Sequence, residues 1–371
     1  MGKNKEYLAI GLMSGTSVDG VDAAIIKTDG YSVKRYGKCH HLAYSKEQQK
    51  IILEAIDQAR DAGNPDIRSN SISMAEGFIN EIHTKAVQEI IKINDLNRDD
   101  IDVVGFHGQT LLHNPDKGWS WQIGDGREIA SELGITVIND FRRDDVENGG
   151  QGAPLVPIFH RALLPEKNDY PIALLNIGGV ANITWIGGDD PSDMLGFDTG
   201  PGNALLDDWV REHSDLPYDK DGELSASGSV QEIFVNDLMN HEYFTEKPPK
   251  SLDRNEFGIG QVSMLSPADG AATLIAFTVA AVKMAEVMCP DYVKKWYVCG
   301  GGAHNPTMMK MLSDTLYGDV EDISALGFDG DYVEAEAFAY FAVRKLLNLP
   351  ITFPGTTGVS EPSTGGKINK P

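Results

Sequence analysis

A strand-like run, Tyr7–Met13, is joined by the turn-rich Ser14–Gly20 to a second run, Val21–Lys27. The same order of signals returns later as Ile172–Asn176, the tight turn Ile177–Gly179 and Ala181–Ile186. Each hairpin forces antiparallel neighbours, which argues against a sheet of parallel strands alone. After the first hairpin come a strand, Ser32–Tyr36, and a helix opened by the capping-box pair Ser45 and Gln48 and ended by Gly63. A longer helix follows, with Ile72, Ala75, Phe78, Ile79, Ile82, Ala86, Ile90 and Ile93 on one face. The strand Asp102–Phe106, the short helix Arg127–Leu133 and the strand Ile135–Ile138 complete this half. The second half adds Met194–Phe197, the helix Asn203–His213, a helix from Pro267 to about Cys289, the strand Trp296–Cys299, and helices Thr307–Leu316 and Glu334–Leu347. At roughly 150 residues per domain, 371 residues suit two domains. The recurrence predicts a duplicated α/β architecture with a cleft between halves at 1–168 and 169–349, and a loop-like, partly disordered tail at 350–371.

The charge narrows the partners. With 55 acids against 32 bases and a net charge of -23, nucleic acid and anionic membranes are not expected to bind. Cys39, Cys289 and Cys299 form no C-x-x-C pair, so neither a disulfide framework nor a zinc site is read, and a reducing compartment fits. The apolar run after Lys3 and Lys5 meets Ser14 and Gly15 too soon for a signal peptide. Ala268–Cys289 contains Asp269, Lys283 and Glu286 and reads as a buried helix, not a membrane span. A soluble, cytoplasmic protein is expected.

Four glycine-rich loops follow β-like runs: Met13–Asp22, Asn176–Asn182, Asp198–Asn203 and Gly300–Asn305. Backbone N–H groups in such turns form anion nests, and a following helix N-terminus adds partial positive charge. One such loop is often an ordinary turn; four in one chain point to a phosphate-bearing ligand. No G-x-x-x-x-G-K-[ST] and no G-x-G-x-x-G is present, which argues against a P-loop or Rossmann site. Between the halves lie Phe106–Thr110, Trp121–Asp125, Asn139–Asp144 and Gly149–Pro154, dense in amides, guanidinium groups and an imidazole. These are the donors and acceptors that a hydroxylated ligand with a carboxylate requires. For Arg142 and Arg143, structural pairing with Asp140, Asp144 or Asp145 is the competing reading. Asp198, placed at a strand end beside Thr-Gly-Pro-Gly, is the candidate general base, against a role as a capping aspartate. Glu334 and Glu336 open the last helix, where the dipole favours acids in any case.

Taken in order, these motifs resemble the anhydro-N-acetylmuramic acid kinases. The resemblance rests on Gly11–Asp22, His107–Thr110, Gln122–Asp125, Asp140–Arg143, Gly149–Pro157, Asn176–Gly179, Asp198–Asn203, Tyr218–Asp221 and Cys299–Gly302. It implies duplicated ribonuclease-H-like domains of the actin–hexokinase type with mixed sheets, ATP with Mg2+, an anhydro amino sugar as substrate and a homodimer. It also implies hydrolytic opening of the anhydro ring with phosphorylation of O6, as in cell-wall recycling. By motif match, Gly15, Thr16, Ser17, Val18, Asp19, Gly20, Val21 and Asp22 would contact ATP, with Gly178, Gly179, Gly200, Gly300, Gly301 and Gly302. Asp198 would activate the water, and His107, Gln109, Arg142 and Glu334 would lie near the sugar. Many members of the wider superfamily carry Asp where Met13 stands, so the metal ligands are left open, with Asp19 and Asp198 as candidates. A kinase of the same fold acting on another sugar or carboxylic acid, or a nucleotide-gated actin- or Hsp70-like binding protein, is the alternative.

Overall fold

The computed structural model describes residues 5–371 apart from Thr16, Asp66, Glu166 and Asn255. In chain order the chain forms β1 (Tyr7–Met13), β2 (Gly20–Thr28), β3 (Val33–Arg35), β4 (His40–Ala43), α1 (Lys46–Ala62) and α2 (Asn70–Ile93). Then come β5 (Val103–Phe106), β6 (Gln109–Asn114), β7 (Trp119–Ile123), α3 (Gly126–Leu133), β8 (Val137–Asn139), α4 (Arg143–Glu147) and α5 (Pro157–Leu163). Next are β9 (Ile172–Ile177), β10 (Val180–Ile186), β11 (Met194–Pro201), α6 (Ala204–His213), α7 (Glu223–Ala226), α8 (Glu232–Met239) and α9 (Pro267–Met288). The chain closes with β12 (Lys295–Cys299), α10 (Pro306–Thr315), β13 (Asp319–Asp322), α11 (Val333–Leu346) and β14 (Lys367–Asn369). Two units result: Met1–Leu163 with Tyr332–Pro354 and Gly358–Pro371, and Leu164–Asp331 with Gly355–Thr357.

In the first unit the sheet runs β14-β8-β5-β1-β2-β3, with β4 also on β2. β1 and β2 are antiparallel, Met13 standing opposite Asp22, while β5 is parallel to β1 and β8 to β5. The second unit has β11-β10-β9-β12-β13, antiparallel across the first three and parallel across the rest. With β4, which pairs off the path, and β6–β7, which form a sheet of their own, left out, both sheets share the order third, second, first, fourth, fifth, and β14 extends the first. That repeated mixed order fits the duplication read from the two hairpins and the ribonuclease-H-like arrangement that the resemblance implies.

Local chemistry explains the helices. The Ser45–Gln48 capping box closes reciprocally at the start of α1, and Gly63 ends it at a left-handed φ of 57°. Along α2 the predicted face is buried except that Phe78 is half-buried and Ile93, the last residue of the helix, is exposed. Ser266 caps α9 ahead of Pro267, and thirteen of its residues from Gly270 to Glu286 are buried in the second core. By length and composition α9 could cross a membrane, but 67% of its most apolar window is buried inside the protein.

Three expectations are corrected. The Glu334–Leu347 helix was assigned to 169–349, yet α11 belongs to the first unit. Glycines on the neighbouring strands explain this: a Cβ on Gly11 would stand 1.8 Å from the Ala335 carbonyl oxygen, and one on Gly105 1.9 Å from that of Phe338. Only bare backbone lets the helix lie so close, and Tyr340 and Arg344 then both donate to the Gly30 carbonyl. The tail is not simply loop, because β14 pairs with β8, Lys367 opposite Asn139 and Asn369 opposite Val137. Finally, β11 runs on to Pro201 instead of stopping at Phe197, so Asp198 lies within a strand. The strands β4, β6, β7 and β13 carried too short or too polar a pattern to be read from sequence.

Candidate active site

In the first unit the β1–β2 turn lies within the Gly11–Asp22 motif, expected to be the first phosphate loop. Val18 is buried with φ 53°, a left-handed conformation that is costly for a β-branched residue, and its N–H bonds to the Gly15 carbonyl at 3.3 Å. The side chains of Val18 and Val21 are both in the core, so only their backbones can face a ligand. Ser17 Oγ donates to Asp19 at 2.8 Å. Asp22 pairs with His41 Nδ1 at 2.7 Å, and the missing side chain of Gly20 makes room for that imidazole. Thr16 lies outside the described residues.

Gly15 differs from its neighbours in kind. A Cβ there meets nothing nearer than Ser17 Oγ at 3.6 Å, so neither packing nor backbone conformation demands glycine. Gly178 and Gly179 in the second unit are alike, with nearest atoms at 3.6 and 3.7 Å. Open space above three turn glycines is what close approach of a phosphate would use.

The loop after β5 is tied to this turn. Ser14 Oγ donates to the Gly108 carbonyl at 3.1 Å, and Gln109 Nε2 to the Gly15 carbonyl at 3.1 Å. Gln109 is fully buried, yet its Oε1 has no hydrogen-bond partner. Arg142 donates from Nη1 to the Gly152 carbonyl at 2.8 Å and from Nη2 to His107 Nε2 at 3.1 Å. Burial first, and then the Arg142 charge, hold the His107 pKa well below its ordinary value, so the ring is neutral and can accept. The same two causes push His113 down to about 4. Arg143 takes the structural course instead, pairing with Asp140, whose φ of 60° is left-handed. Asp145 accepts from the Gly152 N–H at 2.7 Å and so shapes the loop that Arg142 reads.

Glu334 opens α11 with its side chain open to solvent but crowded by protein. Desolvation raises its pKa, Arg142 opposes, and Asp22 adds to the rise, which places all three carboxylate and guanidinium groups in one electrostatic neighbourhood. The four residues expected near a sugar are thus brought into one region of the first unit. Of these four, His107 lines a cavity of about 570 Å³, together with Trp119, Trp121, Gln122, Asn139 and Asn369 among others. Gln122 donates to Thr110 and Ser120 while its Oε1 has no partner, and Asn369 Oδ1 is likewise buried without one. Unsatisfied buried amide oxygens cost stability unless a ligand donor meets them.

In the second unit three loops interlock. The N–H groups of Gly202 and Asn203 bond to the carbonyls of Gly179 and Gly178 at 2.9 and 2.7 Å, and Asn203 Nδ2 to that of Ile177 at 3.0 Å. Gly300 has φ 78°, and a Cβ on it would stand 2.4 Å from Asn176 Oδ1, so glycine there serves the fold. Gly200 and Gly302 are also closely packed, against Ala281 and Ile177, whereas Gly301 faces Asn203 Nδ2 at 3.2 Å.

Asp198 sits at a β-bulge, where Asn182 pairs with Asp198 and Ala181 with Gly200. Bulges re-aim side chains beside functional sites. Its Oδ2 accepts the Leu252 N–H at 2.8 Å, its N–H bonds to the Lys250 carbonyl at 3.0 Å, and Tyr243 Oη donates to its carbonyl at 2.6 Å. Lys250, almost fully buried, donates to the Tyr243 carbonyl at 2.7 Å, and desolvation lowers its pKa. Sequence reading missed Tyr243, Lys250 and Leu252, whose only signal was a lysine beside two prolines in an otherwise ordinary loop. Asp219 of the Tyr218–Asp221 motif is a structural group, accepting from Leu224, Ser225 and Asn305.

Among the described residues no group of three or more His, Cys, Asp or Glu side chains is arranged to hold a metal.

A family model described as anhydro-N-acetylmuramic acid kinase matches residues 7–371. The anhydro-N-acetylmuramic acid kinase of Rhizorhabdus wittichii is 47% identical over 368 residues, covering 99% of this chain and 100% of that protein. Those of Zymomonas mobilis and Paramagnetospirillum magneticum are 47% and 46% identical, over 98% of this chain and 99% and 100% of their own lengths. With similarity running from end to end, the chain belongs to the anhydro-N-acetylmuramic acid kinase family.

Proposed function

We propose that the protein transfers the γ-phosphoryl group of ATP, with Mg2+, to O6 of 1,6-anhydro-N-acetylmuramic acid while water opens the anhydro bridge. The product is N-acetylmuramic acid 6-phosphate, returned from cell-wall material to metabolism in the cytoplasm, where ATP is held. One observation carries this reading: Gln109 bonds to the Gly15 carbonyl in the first phosphate loop while presenting a buried, unpartnered acceptor. A ligand hydroxyl satisfying that oxygen would lie beside the phosphate turn, as a phosphoryl acceptor must.

The roles divide by chemistry. The turns around Gly15 and around Gly178 and Gly179 offer backbone N–H groups to phosphate oxygens. Gln109 accepts from a sugar hydroxyl, His107, whose Nε2 already accepts from Arg142, donates from Nδ1–H, and Arg142 supplies positive charge. Glu334, whose pKa desolvation raises, is placed to exchange a proton with the sugar or its water. Asp198, held by the Leu252 N–H, takes the proton of the attacking water. Asp19, Asp22 and Asp198 are the acids that could hold Mg2+, directly or through water, and the bound cation would neutralise phosphate charge during transfer. An ADP-release assay with the anhydro sugar, glucose, glycerol and acetate tests the reading. Turnover is expected with the anhydro sugar; equal turnover with glucose would favour an ordinary hexose kinase instead.

A further inference from the structure

The C-terminal strand has a place in the cavity. Side chains two apart on a strand share a face, so Lys367 and Asn369 point the same way, with Ile368, 43% exposed, on the other side. Both Lys367 and Asn369 line the 570 Å³ cavity together with His107, Gln122 and Asn139. Asn369, 3% exposed, donates from Nδ2 to Asn139 Oδ1 at 2.8 Å and to the Val137 carbonyl at 3.1 Å, which fixes β14 on β8. Its Oδ1 is the buried, unpartnered acceptor noted above.

Charge completes the picture. The cavity's arginines are neutralised by acids that line it too: Arg68 by Glu76 at 2.9 Å, Arg127 by Asp125 at 3.1 Å and Arg143 by Asp140 at 2.6 Å. Among the described lining residues Lys367 is the remaining full cation, and no ion pair holds it. Glu147, the remaining acid of the lining, stands on α4 and repels an anion from that side. We propose that Lys367 binds the carboxylate of a lactyl-ether sugar while Asn369 Oδ1 accepts from a neighbouring hydroxyl or amide, making β14 the element that selects muramic-type over glucosamine-type anhydro sugars. The inference rests on the reading of the substrate given above and extends it to a residue that reading leaves without a role.

Titration calorimetry with two probes tests it: 1,6-anhydro-N-acetylmuramic acid, and 1,6-anhydro-N-acetylglucosamine, which lacks the lactyl carboxylate. Lys367→Gln is expected to weaken the first by about tenfold or more, as loss of a charge-assisted hydrogen bond does, and to leave the second unchanged. Lys367→Arg is expected to restore most of the loss. Unchanged affinity for the carboxylate sugar, or an equal loss for both sugars, overturns the proposal alone. A parent protein that binds neither sugar overturns the substrate reading and this inference with it.

Discussion

Arg142 Nη2 donates to His107 Nε2 at 3.1 Å while its Nη1 donates to the Gly152 carbonyl at 2.8 Å, so two fixed acceptors set the plane of one guanidinium. Because the His107 ring is held neutral, the cation keeps its charge for a ligand instead of facing a second cation. Arg142→Lys retains the charge but cannot span both acceptors in one plane. It is expected to raise KM for the sugar about tenfold or more, roughly 1.4 kcal/mol, with KM for ATP unchanged in steady-state kinetics. A parallel rise in both constants would place Arg142 in general folding of the loop.

Two glycines should separate ligand space from fold. Gly15→Ala adds a methyl that meets nothing nearer than Ser17 Oγ at 3.6 Å, so thermal unfolding should be unchanged while ATP affinity falls by calorimetry. Gly300→Ala faces φ 78° and Asn176 Oδ1 at 2.4 Å, and should lower stability by more than about 1 kcal/mol. Lost ATP affinity in the Gly15 variant with equally lost stability would remove the argument for a phosphate cradle there.

The first unit should be acid-sensitive. Burial lowers the pKa of His83 to about 4, of His160 to about 3 and of His113 to about 4, from 6.5, and burial with the Arg142 charge holds that of His107 well below 6.5. Each folded pKa lies below the unfolded one, so the unfolded chain gains protons first as pH drops. The stabilisation is fully present above pH 6.5 and is lost as pH falls towards the folded values. Each ring then withdraws up to about 1.4 kcal/mol per pH unit. Urea midpoints should fall steeply between pH 6.5 and 5 and change little between 8 and 7. A flat profile across pH 6.5 to 5 would show that these rings reach solvent.

The hairpins, capping box and glycine stops were readable because each rests on residues adjacent in sequence. The path of α11 was not, because what draws it to the first sheet is the bareness of Gly11 and Gly105, far away along the chain. Asp198 is singled out by its motif as a candidate, but its bulge depends on pairing with β10, and its fixing donors come from Tyr243 and Leu252. Lys367 carries no motif at all; its position opposite Asn139 emerges only once β14 joins β8. Local signals mark the loops, and tertiary pairing decides what surrounds them.

The fixed carboxylate of Asp198 leads to a stereochemical prediction. In the anhydro sugar O6 bridges to C1 on the β face, so water attacking with inversion approaches from the α face. As the water oxygen bonds to C1, the C1–O6 pair departs onto O6, which becomes the nucleophile for phosphorus, and the proton passes to a base. The Leu252 N–H, 2.8 Å from Oδ2, orients the carboxylate for that task. Asp198→Asn keeps the shape and the backbone bond but removes the basicity. General-base assistance is typically worth about 10²–10⁴-fold, so turnover should fall by at least about 10²-fold with ATP affinity largely retained. The first product of the parent enzyme should be the α-anomer, observed by rapid NMR before mutarotation. Appearance of the β-anomer first would exclude inversion at C1, and near-normal turnover in the Asn variant would assign the proton to another group, with Glu334 next to be replaced.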